Sequence, residues 1–115
     1  DTKEIAKVCA QAEKRYQGMD IDKTTDDKTV VVLMYKYTFC PPDLKIKAGT
    51  TVRWVNVDKR TSHSVWLKAA GKPESERLFP EESVENTFAD AGPYPYICGP
   101  HGEQENMTGT VTVVP

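Results

Sequence analysis

Two stretches decide how this chain folds: Gly92-Pro93-Tyr94-Pro95-Tyr96-Ile97-Cys98-Gly99-Pro100-His101 and Met107-Thr108-Gly109-Thr110-Val111-Thr112-Val113. From Pro93 to Cys98 the residues are aromatic and extended, with Ala91-Gly92-Pro93 as the turn before them. Pro95 cannot donate to a ladder, so this strand is expected at a sheet edge or a bulge. Thr108 to Val114 alternates, with Val111 and Val113 on one side, and reads as a final strand. Between the two strands lies one short loop carrying a thiol, an imidazole and a thioether: Cys98, His101 and Met107.

These three groups are a soft anion, a borderline nitrogen and a weak soft donor. The mixture suits a copper ion that cycles between two oxidation states. The only other histidine, His63, lies in Thr61-Ser62-His63-Ser64-Val65. Two histidines, one cysteine and a long axial methionine make the trigonal set of blue copper.

Upstream, period-two patterning continues. Thr29 to Phe39, rich in Val, Tyr and Thr, reads as one strand, ended by Cys40-Pro41-Pro42-Asp43. Leu44, Ile46 and Ala48 alternate with polar residues up to a turn at Gly49-Thr50. Thr51 to Val57 alternates again, with Val52, Trp54 and Asn56 on one face. Val65 to Leu67 reads as a short strand, residues 69–82 as a loop, and Ser83 to Phe88 as a strand. About seven short strands separated by turn signals predict an all-β, antiparallel Greek-key β-sandwich. Trp54 and Tyr96 are expected in its core or at its edge, not in a redox relay. The acidic groups Glu81-Glu82-Glu85 and Glu74-Ser75-Glu76 read as solvated faces.

Residues 2–17 differ. Ile5, Val8, Cys9, Ala12 and Tyr16 follow a helical stripe, with Asp1 or Thr2 to cap it and Gly18 to end it. The 115 residues are therefore expected to form a single domain, with an N-terminal helix and linker over 1–28 and the sandwich over 29–115. Three cysteines leave an odd one. With Cys98 given to a metal, Cys9 and Cys40 either pair as a disulfide that ties the helix to the body or stay as small buried thiols.

Composition narrows the partners. The net charge is −2, and no basic patch of the kind that neutralises phosphates is present, which argues against nucleic acid. No apolar run approaches the length of a membrane span.

Residues 29–115 resemble a cupredoxin of the plastocyanin, pseudoazurin and amicyanin type. The motifs that carry the resemblance stand in family order. Phe39 and its prolines lead into Leu44-Lys45-Ile46-Lys47-Ala48-Gly49-Thr50-Thr51-Val52-Arg53-Trp54-Val55-Asn56; then come His63, the strand into Cys98 and His101, and Met107 with the last strand. The resemblance implies one copper ion, with His63, Cys98 and His101 as equatorial ligands and Met107 as the axial one. It further implies an electron carrier, not an enzyme, secreted to the bacterial periplasm after loss of a leader. The expected partner is a redox protein such as a c-type cytochrome, docking on an apolar patch around His101 that Gly99, Pro100, Gly102 and Pro73 supply. Glu103 and Glu105 would rim that patch, and the carrier would act as a monomer.

Three features depart from that family. Five residues separate His101 from Met107, so Glu103 or Gln104 competes as a donor and an open site of the red-copper kind stays in view. Ser64 follows the first histidine where these proteins commonly carry Asn, whose side chain ties the two ligand loops. The N-terminal helix is an addition. A copper storage or delivery module is the other alternative, although three methionines are few for one.

Overall fold

The computed structural model describes residues 2–115; the expected cap at Asp1 lies outside the described residues. A helix α1 (Thr2–Gly18) precedes strands β1 (Thr29–Tyr35), β2 (Thr38–Cys40), β3 (Asp43–Lys47), β4 (Thr50–Asn56), β5 (Ser83–Phe88), β6 (Gly92–Ile97) and β7 (Thr108–Val114). One sheet runs β2-β1-β4-β5 and the other β3-β7-β6.

The sandwich is as expected, but its sheets are mixed, not purely antiparallel. β1 pairs in parallel with β4, and β3 with β7. In each case the chain crosses to the opposite sheet before returning beside its earlier strand, so the two strands run the same way. Alternation along a strand is the same for either pairing, which is why the sequence pattern does not reveal this.

The strand expected over residues 29–39 is two strands. Lys36 and Tyr37 both take positive φ, 47° and 59°, and form a two-residue reversal between β1 and β2. Two left-handed residues match the right-handed twist of a hairpin. Lys-Tyr carries none of the Asn or Gly that signals such a turn, so the pattern read straight through it. The segment Val65–Leu67 is likewise no strand: it makes only an isolated bridge, Trp66 to Ile97, and runs into a 3₁₀ turn at Lys68–Ala70.

β1 is buried on both faces. Val32 and Met34 join Val52, Trp54, Phe39, Tyr96, Val111 and Val113 between the sheets. Leu33 and Tyr35 face the other way, with Val55 and Val57, against Ala12 and Tyr16 of α1. Burial on both sides accounts for the unbroken apolar run Val30–Tyr35. Between the sheets, Phe39 and Tyr96 meet edge-to-face at 4.6 Å, and Trp54 and Tyr96 at 5.3 Å. Pro95 lies in β6, an edge strand, where its missing N–H is tolerated.

Cys9 and Cys40 form a disulfide, with Cα atoms 5.3 Å apart. The helix is held a second time where Arg15 Nε donates to the Val57 carbonyl at 2.5 Å. Among the described residues, no helix is long and apolar enough to cross a membrane.

Candidate metal centre

The site forms where two returns of the chain meet at one end of the sandwich. The first return leaves β4 at Asn56, which is fully buried. Its side-chain amide donates to the carbonyls of Thr61 and Leu78, both at 2.9 Å, and its Oδ1 accepts the Asp58 amide at 2.9 Å. Asn56 thus shapes the turn that delivers Asp58 and His63. The backbone of His63 then bridges Leu78, and Trp66 bridges Ile97, laying residues 63–66 beside the end of β6.

The second return begins one residue after β6. The Cys98 amide donates to the Met107 carbonyl at 3.0 Å, closing the loop at its base. Within it the amides of Glu105 and Met107 both donate to the His101 carbonyl, at 3.0 and 3.3 Å. Asn106, at φ 53°, reverses the chain so that Met107 is buried. The five-residue spacing is therefore absorbed by a helical turn on the outside of the loop, with Glu103, Gln104 and Glu105 exposed.

Sequence reasoning singled out His63, Cys98, His101 and Met107 from this end of the molecule. The ligand atoms of His63, Cys98 and His101 lie within 4.8 Å of one another. Cys98 Sγ is 3.7 Å from His63 Nδ1 and 3.5 Å from His101 Nδ1. An ion bound about 2.0 Å from nitrogen and about 2.3 Å from sulfur spans about 3.5–3.8 Å between them at trigonal to tetrahedral angles. The donors fit one metal ion, and a thiolate with two imidazoles suits copper. Met107 is fully buried, as are His63 and Cys98, whereas His101 is half-exposed. Glu103 belongs to no such donor cluster among the described residues.

Two of the donors, His63 and Cys98, are held by hydrogen-bonding neighbours. His63 Nε2 donates to Asp58 Oδ2 at 2.5 Å, which fixes the tautomer and leaves Nδ1 free to face the sulfur. Burial depresses the His63 pKa, but the bonds to Asp58 and Cys98 and the charges of both outweigh it and raise the pKa. Partial burial, then nearby His63, lower that of His101; Arg77 adds to this, while Glu105 and Asp58 oppose it. The Ser64 amide points at Cys98 Sγ from 3.5 Å, and the Ser64 hydroxyl accepts the Gly99 amide at 2.9 Å. The tie between the ligand loops, commonly made by Asn in the resembling proteins, is made here by the shorter Ser64 side chain.

Three further residues at the site escaped sequence reasoning. Asp58 lies in the short polar stretch between Asn56 and His63, which no motif singled out. Tyr37 packs its ring edge-on against His101 at 4.9 Å and remains 41% exposed. Pro73 lines a hollow with Val65, Leu67 and Val84. Glu74, read as part of a solvated face, turns its carboxylate onto the Ser64 hydroxyl at 2.6 Å.

Known proteins resemble this chain in sequence and fold. A profile of the copper binding proteins of the plastocyanin/azurin family matches residues 27–114. Halocyanin of Natronomonas pharaonis is 33% identical over 108 residues, covering 85% of this chain and 63% of halocyanin. Amicyanin of Paracoccus versutus is 30% identical over 98 residues, covering 83% of this chain and 71% of amicyanin. The structure of a reduced tryptophan-to-tyrosine variant of amicyanin superposes with a TM-score of 0.69 at 30% identity, covering 78% of this chain and 86% of that one. With the profile spanning most of the chain and the donor set converging at one end of the sandwich, this protein belongs to the plastocyanin/azurin family of copper-binding proteins.

Proposed function

We propose that this protein carries single electrons on one copper ion held by His63, Cys98 and His101, with Met107 as the axial donor. The observation that carries the reading is the convergence of the three donor atoms within 4.8 Å, two of them on buried residues. Copper bound there supplies a one-electron couple whose two states accept the same donors. The chain's part is to keep those donors still. Asp58 holds the His63 ring, the Ser64 amide faces the sulfur, and the Cys98–Met107 backbone bond closes the loop. His101 alone among the four donors reaches the surface, so electrons leave and enter along its ring edge, beside Tyr37.

Burial of His63, Cys98 and Met107 disfavours an exchangeable storage or delivery site. The exposed Glu103 disfavours the open-site reading. The role is that of a carrier, with residues 1–115 acting as a single domain. The Cys9–Cys40 disulfide supports an oxidising compartment such as the periplasm. The partner is a redox protein with a basic face, such as a c-type cytochrome, meeting His101, Pro100 and Tyr37 inside a rim that holds Glu103 and Glu105. Rim charge sets encounter rate and its salt dependence. Changing both glutamates to Gln should flatten that salt dependence; an unchanged slope rejects this face.

Adding Cu(II) to the copper-free protein should produce an intense thiolate-to-copper absorption in the visible, absent from Cys98→Ser. A colourless complex, or colour that survives in Cys98→Ser, rejects the function.

A further inference from the structure

The Ser64 hydroxyl has one hydrogen and two lone pairs. Its oxygen accepts the Gly99 amide at 2.9 Å, and its hydrogen goes to Glu74 Oε2 at 2.6 Å. Ser64 follows one ligand and Gly99 follows another, so this bond spans the two loops of the site. A hydroxyl left to rotate could turn its hydrogen toward the Gly99 N–H and lose the bond. A carboxylate acceptor removes that freedom, because an O–H to an ionised oxygen is the stronger, more directed bond.

Glu74 is itself held in place. Its neighbour Ser75 pairs with Val65: the Ser75 amide donates to the Val65 carbonyl at 2.9 Å, and the Val65 amide donates to Ser75 Oγ at 2.8 Å. Trp66 Nε1 donates to the Lys72 carbonyl at 3.1 Å on the other side. The carboxylate also lies against Gly99, where an added Cβ would fall 2.0 Å from Oε2. An exposed loop thereby reaches the base of the ligand loop through one side chain.

We propose that Glu74 is a positioning residue for the copper site: by taking the Ser64 hydroxyl hydrogen it orients that hydroxyl to lock Gly99, and so the Cys98 loop, onto the His63 loop. A single Asn would accomplish such a tie alone; here the work is divided between a short buried serine and a glutamate from a third segment. The consequence for copper rests on the function proposed above, but the lock itself belongs to the copper-free fold.

The test is amide hydrogen exchange of Gly99 in the copper-free protein, compared among wild type, Ser64→Ala, Glu74→Ala and the double variant. The Val52 amide, in the core strand β4, serves as the control for global unfolding. Loss of one partly buried hydrogen bond should speed Gly99 exchange about tenfold in each single variant. The double variant should exchange no faster than Ser64→Ala, because Glu74 acts only through the hydroxyl. Copper removal by a chelator and the position of the visible band, measured on the loaded protein, should change alike in both single variants and no further in the double. Unchanged Gly99 exchange in Glu74→Ala, or additive effects in the double variant, overturns the proposal. If copper fails to bind while the exchange pattern holds, the lock stands and the copper reading falls.

Discussion

His63 Nε2 and Asp58 Oδ2 lie 2.5 Å apart, and both side chains are nearly or wholly removed from solvent. Asp58 also accepts the Lys36 amide through Oδ1 at 3.3 Å, so the carboxylate joins the β1–β2 turn to the first ligand loop. A hydrogen bond to the far nitrogen of a ligating imidazole sets its orientation and basicity. Asp58→Ala should therefore lower copper affinity about 10- to 100-fold, measured by chelator competition. An affinity within about twofold of wild type would show that the His63 ring is held by packing alone.

The same pair makes the copper-free protein sensitive to pH. The His63 pKa is raised above its ordinary 6.5 in the folded state. Its contribution to stability is then fully present below the unfolded value and disappears as pH rises through the folded one. The lowered pKa of His101 acts in the opposite sense, costing stability as pH falls through the unfolded value. Asp58→Asn removes the charge that favours the His63 imidazolium, so it should lose most stability relative to wild type in mild acid and least above neutrality. Denaturant titrations across that range check it; a difference that grows with rising pH contradicts the assignment.

Met107 is fully buried, and its backbone carbonyl is already used by the Cys98 amide. Met107→Leu conserves volume and should cost less than about 1.5 kcal/mol of stability. If the thioether is the axial donor, the substitution keeps the visible thiolate band but shifts both its position and the reduction potential. A spectrum and potential identical to wild type would reduce Met107 to core packing.

The Cys9–Cys40 disulfide closes a separation of 31 residues and fastens α1 over Leu33, Tyr35 and Val57. Replacing both cysteines with Ser should cost about 2–4 kcal/mol in denaturant unfolding. The copper spectrum should persist, since neither cysteine belongs to the donor cluster. Loss of the spectrum under conditions where the protein stays folded would tie the helix directly to the site.

What was legible in the sequence follows from physical range. Cys98, His101 and Met107 lie on one loop, and their donor chemistry is rare enough to read without a fold; His63 was readable because the chain has only one other histidine. The helix stripe placed Cys9 toward the body, but a disulfide with Cys40 and two buried thiols both fit that pattern, because the distance between the two Cα atoms is set only by the fold. The parallel pairings were hidden because they depend on which sheet the chain enters next, and not on alternation within a strand. The Lys36-Tyr37 reversal was hidden because two ordinary residues take a conformation that Asn or Gly usually signals. Asp58 and Glu74 were hidden for a third reason. Each acts through hydrogen bonds to segments that only the folded chain brings near, and a lone acid in a polar stretch looks like any solvated one.

The most direct test is the electron paramagnetic resonance spectrum of the protein loaded with one equivalent of Cu(II), recorded with the visible spectrum of the same sample. Cys98 thiolate ligation between His63 and His101 predicts narrow parallel copper hyperfine splitting together with an intense charge-transfer band. Wide splitting of the ordinary kind, with no such band, would contradict it.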